Sequence, residues 1–178
     1  IWQKGEDRRL IRITSPPRLA GTGLLVTHGD VLHLFLPAYP PARRVTGRSR
    51  ADAFLGTDFA LEDLSRITYA TDYTATIGPP QGDLTRLDLT PKEGEGAIRL
   101  WVGTDAVVRR IEHDDRKGET IRRLRLEDVR LEGRLQLAHR VEVEDIARGR
   151  RTIATVESAT VEGGIDDELF TVTALERR

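Results

Sequence analysis

Hydrophobic and polar residues alternate along most of the chain with a period of two, which is typical of strands that bury one face. The first segments of this kind are Arg8–Thr14, Gly23–Thr27 and Val31–Leu36, and the turn residues at Thr27–Asp30 predict a hairpin. The alternation resumes at Leu84, and turn signals then follow at intervals of roughly ten to fifteen residues. This second group of predicted strands reads LTRLDLTP, AIRLWVG, AVVRRIEH, ETIRRLRLEDV, RLQLAH, RVEVEDI and RTIATVESATVE. Its spacing predicts an antiparallel meander without a parallel crossover.

The segment between these two groups of strands is predicted to leave the sheet. Pro37, Pro40 and Pro41 lack the backbone N–H that a strand ladder requires, so PAYPPARRVTGRSR predicts a long surface excursion. A short helix is expected after it, with Asp58 as the N-cap. The apolar residues on one face of that helix are Leu61, Leu64 and Ile67. A second short helix or turn is expected near the C-terminus, with Asp166 and Asp167 as alternative caps.

The predicted elements place the protein in the mainly β class, with about ten strands and little helix. A strongly twisted antiparallel sheet of this size must curl or split to bury its apolar face. The alternation of side chains divides the sheet into one apolar face and one wet face. We expect a single domain over residues 1–178, since a chain of this length buries roughly 70% of its extended surface.

Composition removes several classes of function. The 28 basic and 29 acidic side chains nearly cancel, which excludes the basic field of a general nucleic-acid binder. No cysteine is present, so disulfides, thiolate catalysis and cysteine-ligated metals are excluded. No run approaches the roughly 18 consecutive apolar residues of a membrane-spanning helix. Because the chain begins at Ile1 and not at methionine, we expect that an upstream segment such as an export signal has been removed.

Sequence signatures of enzymes are absent: the chain has no GxSxG elbow, HExxH motif, Walker loop or GxGxxG after a strand. The histidines are scattered without metal-ligand spacing, so no metal, cofactor or catalytic residue is predicted. His33 lies in an apolar strand and is interpreted as a core or cavity-wall residue, with a proton-sensitive wall group as the alternative. His113 and the two aspartates that follow it predict a solvated hairpin turn, with a weak cation site as the alternative.

Paired carboxylates offer no better evidence of chemistry. Glu142 and Glu144 alternate with valines, so both are expected on the solvent face. Without a partner histidine or a pocket, general acid–base catalysis has no support.

Two other features point to a binding function. The first is a cluster of four arginines on the proline-rich excursion, at Arg43, Arg44, Arg48 and Arg50. Guanidinium groups on such a segment suit phosphate or carboxylate recognition, including lipid headgroups or an acidic partner, although a solvated loop is an equal alternative. The second is the segment FLGTDF, in which Phe54 and Phe59 flank the start of the predicted helix. This segment predicts either a lid over an apolar concavity or an ordinary contact between helix and sheet.

The string FLGTDFALEDL, preceded by RRVTGRSR and by a strand ending in LFLP, is similar to a segment of bacterial outer-membrane lipoprotein-sorting proteins of the LolA-like family. The resemblance continues in order through LDLTPKEG, IRLWVGTD, DDRKGE, RVEVEDIARGRRT and IDDELFTVTAL, across nearly the whole chain. FLGTDF followed by EDL is moderately specific, and the ordered set is more specific than any single motif. Leu55 stands where many relatives have methionine, a volume-conserving change.

The resemblance implies a periplasmic carrier that performs no chemistry and uses no cofactor. Its implied fold is an incomplete β-barrel, a strongly curved antiparallel sheet around an apolar cavity that short helices cover. The cavity would hold acyl chains of a lipoprotein or lipid in transit to the outer membrane. An inner-membrane transporter and an outer-membrane acceptor are the implied partners. The family's export signal, N-terminal helix and first strands are not seen before Ile1.

An acyl-chain site needs only an apolar wall, because each methylene removed from water contributes about 0.8 kcal/mol. The candidate cavity and lid residues are Leu34, Leu36, Phe54, Phe59, Leu64, Leu100 and Val102. The arginine cluster is expected near the mouth, in contact with a headgroup or a partner.

Two other functions remain open. A periplasmic sensor or adaptor of an envelope-stress or transport system would use the same cavity to report lipid to a membrane protein. A hydrolase of lipid or glycan would need a carboxylate pair in the cavity, for which Asp58 and Glu62 are the candidates.

Overall fold

The computed structural model describes residues 1–94, 96–161 and 163–177, and it contains two antiparallel sheets and a few short helices. The described residues form two compact units. Ile1–Phe54 and Ala60–Thr68 belong to the first unit together with the C-terminal segment, and Leu55–Phe59 and Tyr69–Val161 form the second.

The first unit contains a five-stranded sheet in which the strands follow chain order. These strands are β1 (Trp2–Lys4), β2 (Arg8–Arg12), β3 (Gly23–Thr27), β4 (Val31–Phe35) and β5 (Arg43–Val45). The helices of this unit are a 3₁₀ helix at Gly47–Ala51, α1 at Leu61–Ser65, a 3₁₀ helix at Asp167–Phe170 and α2 at Val172–Glu176.

The second unit contains a seven-stranded sheet, again with every strand beside its neighbour in sequence. Its strands are β6 (Tyr73–Ile77), β7 (Thr85–Pro91), β8 (Ile98–Val102), β9 (Val108–Asp114), β10 (Thr120–Glu132), β11 (Leu135–Asp145) and β12 (Arg150–Thr155). Each sheet is open and has two edge strands. The predicted fold class is therefore confirmed: the protein is mainly β, antiparallel and not closed into a barrel, and its strands are split between two sheets.

One face of the first sheet is covered by the C-terminal segment. Leu10, Leu25 and Phe35 pack there against Phe170 and Leu175 in one buried cluster. Asp166 caps the 3₁₀ helix at Asp167–Phe170, as predicted, because its carboxylate accepts a hydrogen bond from the Glu168 N–H at 3.0 Å.

Gly23 makes this close packing possible. A Cβ at this position would lie 2.5 Å from Leu175 Cδ1, much closer than ordinary contact, and 3.4 Å from the Ile11 carbonyl oxygen. A side chain at residue 23 would therefore require Leu175 to shift from its present position against the strand.

The opposite face of the first sheet is also buried, so this sheet lacks the wet face expected from the alternation. Its buried residues are Ile11, Leu24, Val26, Leu32 and Val45. Arg9 lies on the same face, and its Nη1 donates to the Leu64 carbonyl oxygen of α1 at 2.7 Å. Burial lowers the pKa of the Arg9 guanidinium.

The helix that follows FLGTDF begins later than predicted. α1 starts at Leu61, and its N-cap is Ala60, whose N–H donates to the Asp63 carboxylate at 2.8 Å. Asp58 is therefore not the N-cap. The helix ends at Ser65, so the predicted apolar face does not extend to Ile67.

Most of the predicted strands are present within a few residues of their expected bounds, but several segments differ. Strands that were not predicted form at β1 and at β5, the latter inside the excursion expected to leave the sheet, and the strand predicted over RTIATVESATVE ends at Thr155. Tyr73–Ile77 forms a strand in a region where none was predicted. RLQLAH and RVEVEDI, predicted as separate strands, form the single strand β11.

Candidate functional site

The apolar face of the second sheet is built from a row of aliphatic residues that oppose one another across neighbouring strands. Their register pairs Leu87 with Leu100, Leu100 with Ile111, Ile111 with Leu124, and Leu124 with Val143. On the same face Leu89, Ile98 and Leu100 form a buried cluster. Tyr69 and Tyr73 pack against this cluster, with their ring centroids 5.8 Å apart. The sheet thus has a continuous apolar row at one level of the strands, in which Leu100, Leu124 and Val143 are buried and Leu87 and Ile111 are half-buried.

The structure brings two of the seven predicted cavity residues into this surface. Leu100 is buried within the cluster and Val102 is half-buried against it. Phe59 is a buried residue of the same unit. The other four predicted residues, all in the first unit, are Leu34, Leu36, Phe54 and Leu64.

These four differ in exposure. Phe54 is buried, whereas Leu34 lies half-buried on β4 opposite Leu24, and Leu36 follows that strand, also half-buried. Leu64 is half-buried on α1.

A hollow of about 510 Å³ in the second unit is lined by none of the seven residues. Its walls are charged as well as apolar, and they consist of Leu84, Arg109, Arg110, Arg125, Leu126, Glu127, Asp128 and Val129.

The FLGTDF segment is anchored on β12. Leu55 and Gly56 both adopt positive φ, at 52° and 79°, which turns the chain sharply. The Asp58 carboxylate, only 6% exposed, then accepts hydrogen bonds from Arg150 Nη2 and Thr152 Oγ1, each at 2.8 Å. The Asp58 N–H also donates to Thr152 Oγ1, at 3.0 Å. Asp58 thus holds the segment on the edge strand of the second sheet, which explains why it does not cap α1.

Replacing Asp58 with alanine is expected to lower the free energy of unfolding by about 2 kcal/mol, because a buried carboxylate with several charge-assisted hydrogen bonds is lost. Urea unfolding followed by circular dichroism measures the effect. Asp52→Ala is the matched control, since the Asp52 side chain is exposed in the same region, and its effect should stay within about 0.5 kcal/mol. Equal losses in the two variants would contradict the anchoring role.

The four predicted arginines do not form one group. Arg43 and Arg44 are exposed on the edge strand β5, not on a loop, and Arg48 is exposed in the following 3₁₀ helix. Within the described part of the chain, these three form no ion pair. Arg50 instead has a structural role, because its Nη2 pairs with the Asp30 carboxylate at 2.7 Å.

His33 lies next to the exposed arginines of β5. It is half-buried on β4 and directly opposite Arg44 of β5. Burial and the Arg44 charge both lower the pKa of the His33 imidazole, which favours its neutral form.

The other face of the second sheet is a ladder of ion pairs. Glu112 accepts from Arg123 Nε at 2.7 Å, and Arg99 Nη2 lies 3.2 Å from the same carboxylate. Glu142 is buried and pairs with Arg125 at 2.9 Å, so the expectation that this glutamate lies in solvent is wrong. The guanidinium groups cover the carboxylates, which leaves these acids in structural ion pairs.

Trp101 lies buried under this ladder. The Arg110 guanidinium carbon is 3.6 Å from the centroid of its ring, and that of Arg99 is 5.8 Å away. The pKa of Arg110 is lowered, mainly by burial and also by the neighbouring arginines.

The segment predicted as a solvated turn is partly buried. His113 and Asp114 close β9, and the Asp114 carboxylate accepts from Arg99 at 2.7 Å and from Thr120 at 3.0 Å. The turn itself follows at Asp115. Among the described residues, no group of three or more histidine, aspartate or glutamate side chains is placed to hold a metal ion. Nor does any described helix have the length and apolar character to cross a membrane.

Comparison with known proteins agrees with this architecture. A model for a family of uncharacterized proteins matches residues 5–177. No protein of curated function matches the sequence.

Similar solved structures cover most of the chain. One is a domain from Vibrio parahaemolyticus that is provisionally described as an outer membrane lipoprotein-sorting protein domain. It superposes with a TM-score of 0.85 at 22% identity, over 98% of this chain and 80% of that one. A DUF1329 family protein from Desulfovibrio piger gives 0.84 at 22% identity, with the same two coverages of 98% and 80%. A LolA superfamily protein from Nitrosomonas europaea gives 0.75 at 20% identity, over 94% and 77%. The chain therefore belongs to the matched family of uncharacterized proteins, and its fold is similar to that of a LolA superfamily protein.

Proposed function

We propose that the protein is a periplasmic carrier that binds the acyl chains of lipoproteins or lipids for transfer to the outer membrane. The observation that carries this proposal is the continuous apolar row across the second sheet, from Leu87 to Val143. The half-buried Leu87 and Ile111 of this row, and Val102 beside it, offer apolar surface to an acyl chain without any specific polar contact. A chain of about a dozen methylenes would gain about 0.8 kcal/mol for each one removed from water, before ordering costs.

The similar structures support the same function. One of them is described as a lipoprotein-sorting protein domain and another as a LolA superfamily protein. Because the sequence identity is low, these structures support a shared fold. The carrier role and the cargo belong to our proposal.

The exposed arginines of β5 and of the 3₁₀ helix that follows it are a second part of the proposal. Arg43, Arg44 and Arg48 are exposed and lack an acidic partner within the described residues. They would contact an acidic surface on a partner, such as an inner-membrane transporter or an outer-membrane acceptor. Arg50 is excluded from this role because its guanidinium group already pairs with the Asp30 carboxylate. Binding and release are the only steps of this function, and no residue is assigned to catalysis.

Native mass spectrometry of the purified protein tests the proposal, together with titration of a fluorescent fatty acid. We expect a lipid-sized adduct and saturable uptake of the fatty acid. Val102→Lys should weaken the uptake at least tenfold, because it places a charge in the apolar surface. Val172→Lys is the matched control, since Val172 is exposed on α2, and its affinity should be unchanged. Absence of both adduct and uptake in the unmodified protein would contradict the proposal.

A further inference from the structure

The hollow of about 510 Å³ in the second unit lies where β10 extends past the start of β9. The register of these two strands ends with Arg110 opposite Arg125, whereas β10 continues to Glu132 and pairs there with β11. In the described part of the chain, no strand pairs with the β9 side of this extension. Asp128 in the extension adopts a φ of 50°, a conformation that is uncommon for residues other than glycine and recurs at functional sites. The volume of the hollow is typical of small-molecule sites, which measure about 300–1,000 Å³.

Two arginines lie directly opposite each other in the wall of the hollow. Arg110 on β9 and Arg125 on β10 are paired by the strand register. Like charges in directly opposite positions destabilise a sheet, so an anion bound between these two side chains would remove an unfavourable interaction. The third arginine of the wall, Arg109, already pairs with Asp105, and Arg125 pairs with Glu142 at 2.9 Å.

Arg110 has no carboxylate of its own. Among the described residues its only ion pair is with Glu112, whose Oε1 lies 3.8 Å from Arg110 Nε and accepts from Arg123 at 2.7 Å. Arg110 Nη2 donates to the neutral side chain of Gln81, and its buried Nε has no hydrogen-bond partner in the described structure. The guanidinium carbon lies over Trp101, 3.6 Å from the ring centroid. An anion is therefore the partner that Arg110 lacks.

The two acidic residues of the wall are paired with arginines from outside the hollow. Glu127 lies 3.2 Å from Arg140, and Asp128 lies 2.5 Å from Arg130. These pairs reduce the repulsion that the two carboxylates would exert on a bound anion. The remaining wall residues are apolar: Leu84, Leu126 and Val129. The hollow thus suits a molecule that has both an anionic group and an apolar part.

We propose that this hollow binds a small organic phosphate, with the phosphate group between Arg110 and Arg125 and the organic part against the apolar wall. A phosphate group has enough acceptor oxygens for two guanidinium groups, whereas one arginine fork satisfies both oxygens of a carboxylate. A soluble phosphate ester and the headgroup of a phospholipid share this chemistry. Arg110 and Arg125 alternate along their strands with Ile111 and Leu124 of the apolar row, so they lie on the other face of the sheet. The inference therefore does not depend on the proposed acyl-chain site.

Titration calorimetry with n-butyl phosphate and with a short-chain phosphatidic acid tests the site and distinguishes the two sources. We expect saturable binding of at least one probe with a Kd of about 1 mM or below, and the tighter probe identifies the source. Arg110→Gln should weaken this binding at least tenfold, because charge-assisted hydrogen bonds to the phosphate are lost. Arg134→Gln is the matched control, since it removes the same charge from an exposed residue outside the hollow, and its affinity should be unchanged.

Pentanoate is the control for the phosphate group, because it presents a similar apolar chain on a carboxylate. We expect it to bind at least tenfold more weakly than n-butyl phosphate or the phosphatidic acid. Equal affinity for the carboxylate would overturn the assignment to phosphate. No saturable binding of either phosphate probe, or binding that Arg110→Gln leaves unchanged, would overturn the inference as a whole.

Tryptophan fluorescence tests whether the phosphate binds beside Arg110. The chain has two tryptophans, so Trp2→Phe leaves only Trp101, which lies under the Arg110 guanidinium. We expect the emission of Trp101 to change with probe concentration and to saturate at the calorimetric Kd. An unchanged emission while the probe binds would overturn this location.

Leu84→Glu provides a second variant that leaves Arg110 in place. Leu84 is half-buried just before β7, and glutamate there adds a carboxylate to the wall of the hollow. We expect it to weaken phosphate binding at least tenfold through charge repulsion. Circular dichroism confirms that this variant and Arg110→Gln are folded. Full affinity in the folded Leu84→Glu variant would contradict binding in the hollow.

Discussion

Replacing Glu112 with glutamine is expected to lower the free energy of unfolding by about 3 kcal/mol, the largest effect on the polar face of the second sheet. The Glu112 side chain is 7% exposed and accepts from Arg123 at 2.7 Å. It also lies 3.2 Å from Arg99 and 3.8 Å from Arg110. Glutamine has the same shape but no charge, so three closely spaced guanidinium groups would lose their shared counter-ion. Their partial contact with water moderates the loss.

Glu144→Gln is the matched control for this substitution. Glu144 pairs with the same arginine, Arg123, at 3.2 Å, but its side chain is 36% exposed. An exposed pair contributes about 0–1 kcal/mol, so the expected loss is below about 1 kcal/mol. Urea unfolding of both variants at neutral pH measures the difference. If both losses are small, Glu112 does not organise the ladder, and the buried charges are balanced in another way.

Leu175→Ala is expected to lower the free energy of unfolding by about 3 kcal/mol, through the core of the first unit. Leu175 is 0% exposed and packs with Leu10, Leu25, Phe35 and Phe170. Its Cδ1 occupies the space above Gly23, so truncation leaves a cavity that the glycine cannot fill. The cost combines lost transfer free energy with this cavity.

Val172→Ala is the control on the same helix. Val172 is 37% exposed, and alanine favours helix more than valine does, so the expected change is within about 0.5 kcal/mol. Thermal and urea unfolding followed by circular dichroism measure both variants. Similar small losses from the two would mean that α2 is not part of the stable core.

The sequence predicts the second sheet well because its strands alternate strongly between polar and apolar residues and are separated by clear turn signals. In β10, arginine and leucine alternate at Arg123, Leu124, Arg125 and Leu126, which leaves no ambiguity of period. β6 escapes prediction because Tyr-Thr-Ala-Thr-Ile has little contrast between its faces. Its strand conformation comes from pairing with β7, which a local pattern does not contain.

The candidate site is less predictable, because distant residues decide the roles of its members. Aspartate is a common N-cap residue, yet the Asp58 carboxylate accepts hydrogen bonds from Arg150 and Thr152, more than 90 positions away in the chain. Arg43 and Arg50 both lie in the arginine-rich segment, but only Arg50 pairs with Asp30. Glu142 follows the alternation of a wet face, and arginines on neighbouring strands then cover it. Local patterns thus locate these residues on their elements but do not contain their partners.

Every strand pairing in both sheets joins neighbours in sequence, and this connectivity has a consequence for folding and divergence. Each pairing closes only a short loop, so strands can add one hairpin at a time without a search for distant partners. A lengthened turn would likewise alter one hairpin and leave the register of all others unchanged. Relatives can therefore vary in turn length and lose most sequence identity while the strand framework persists.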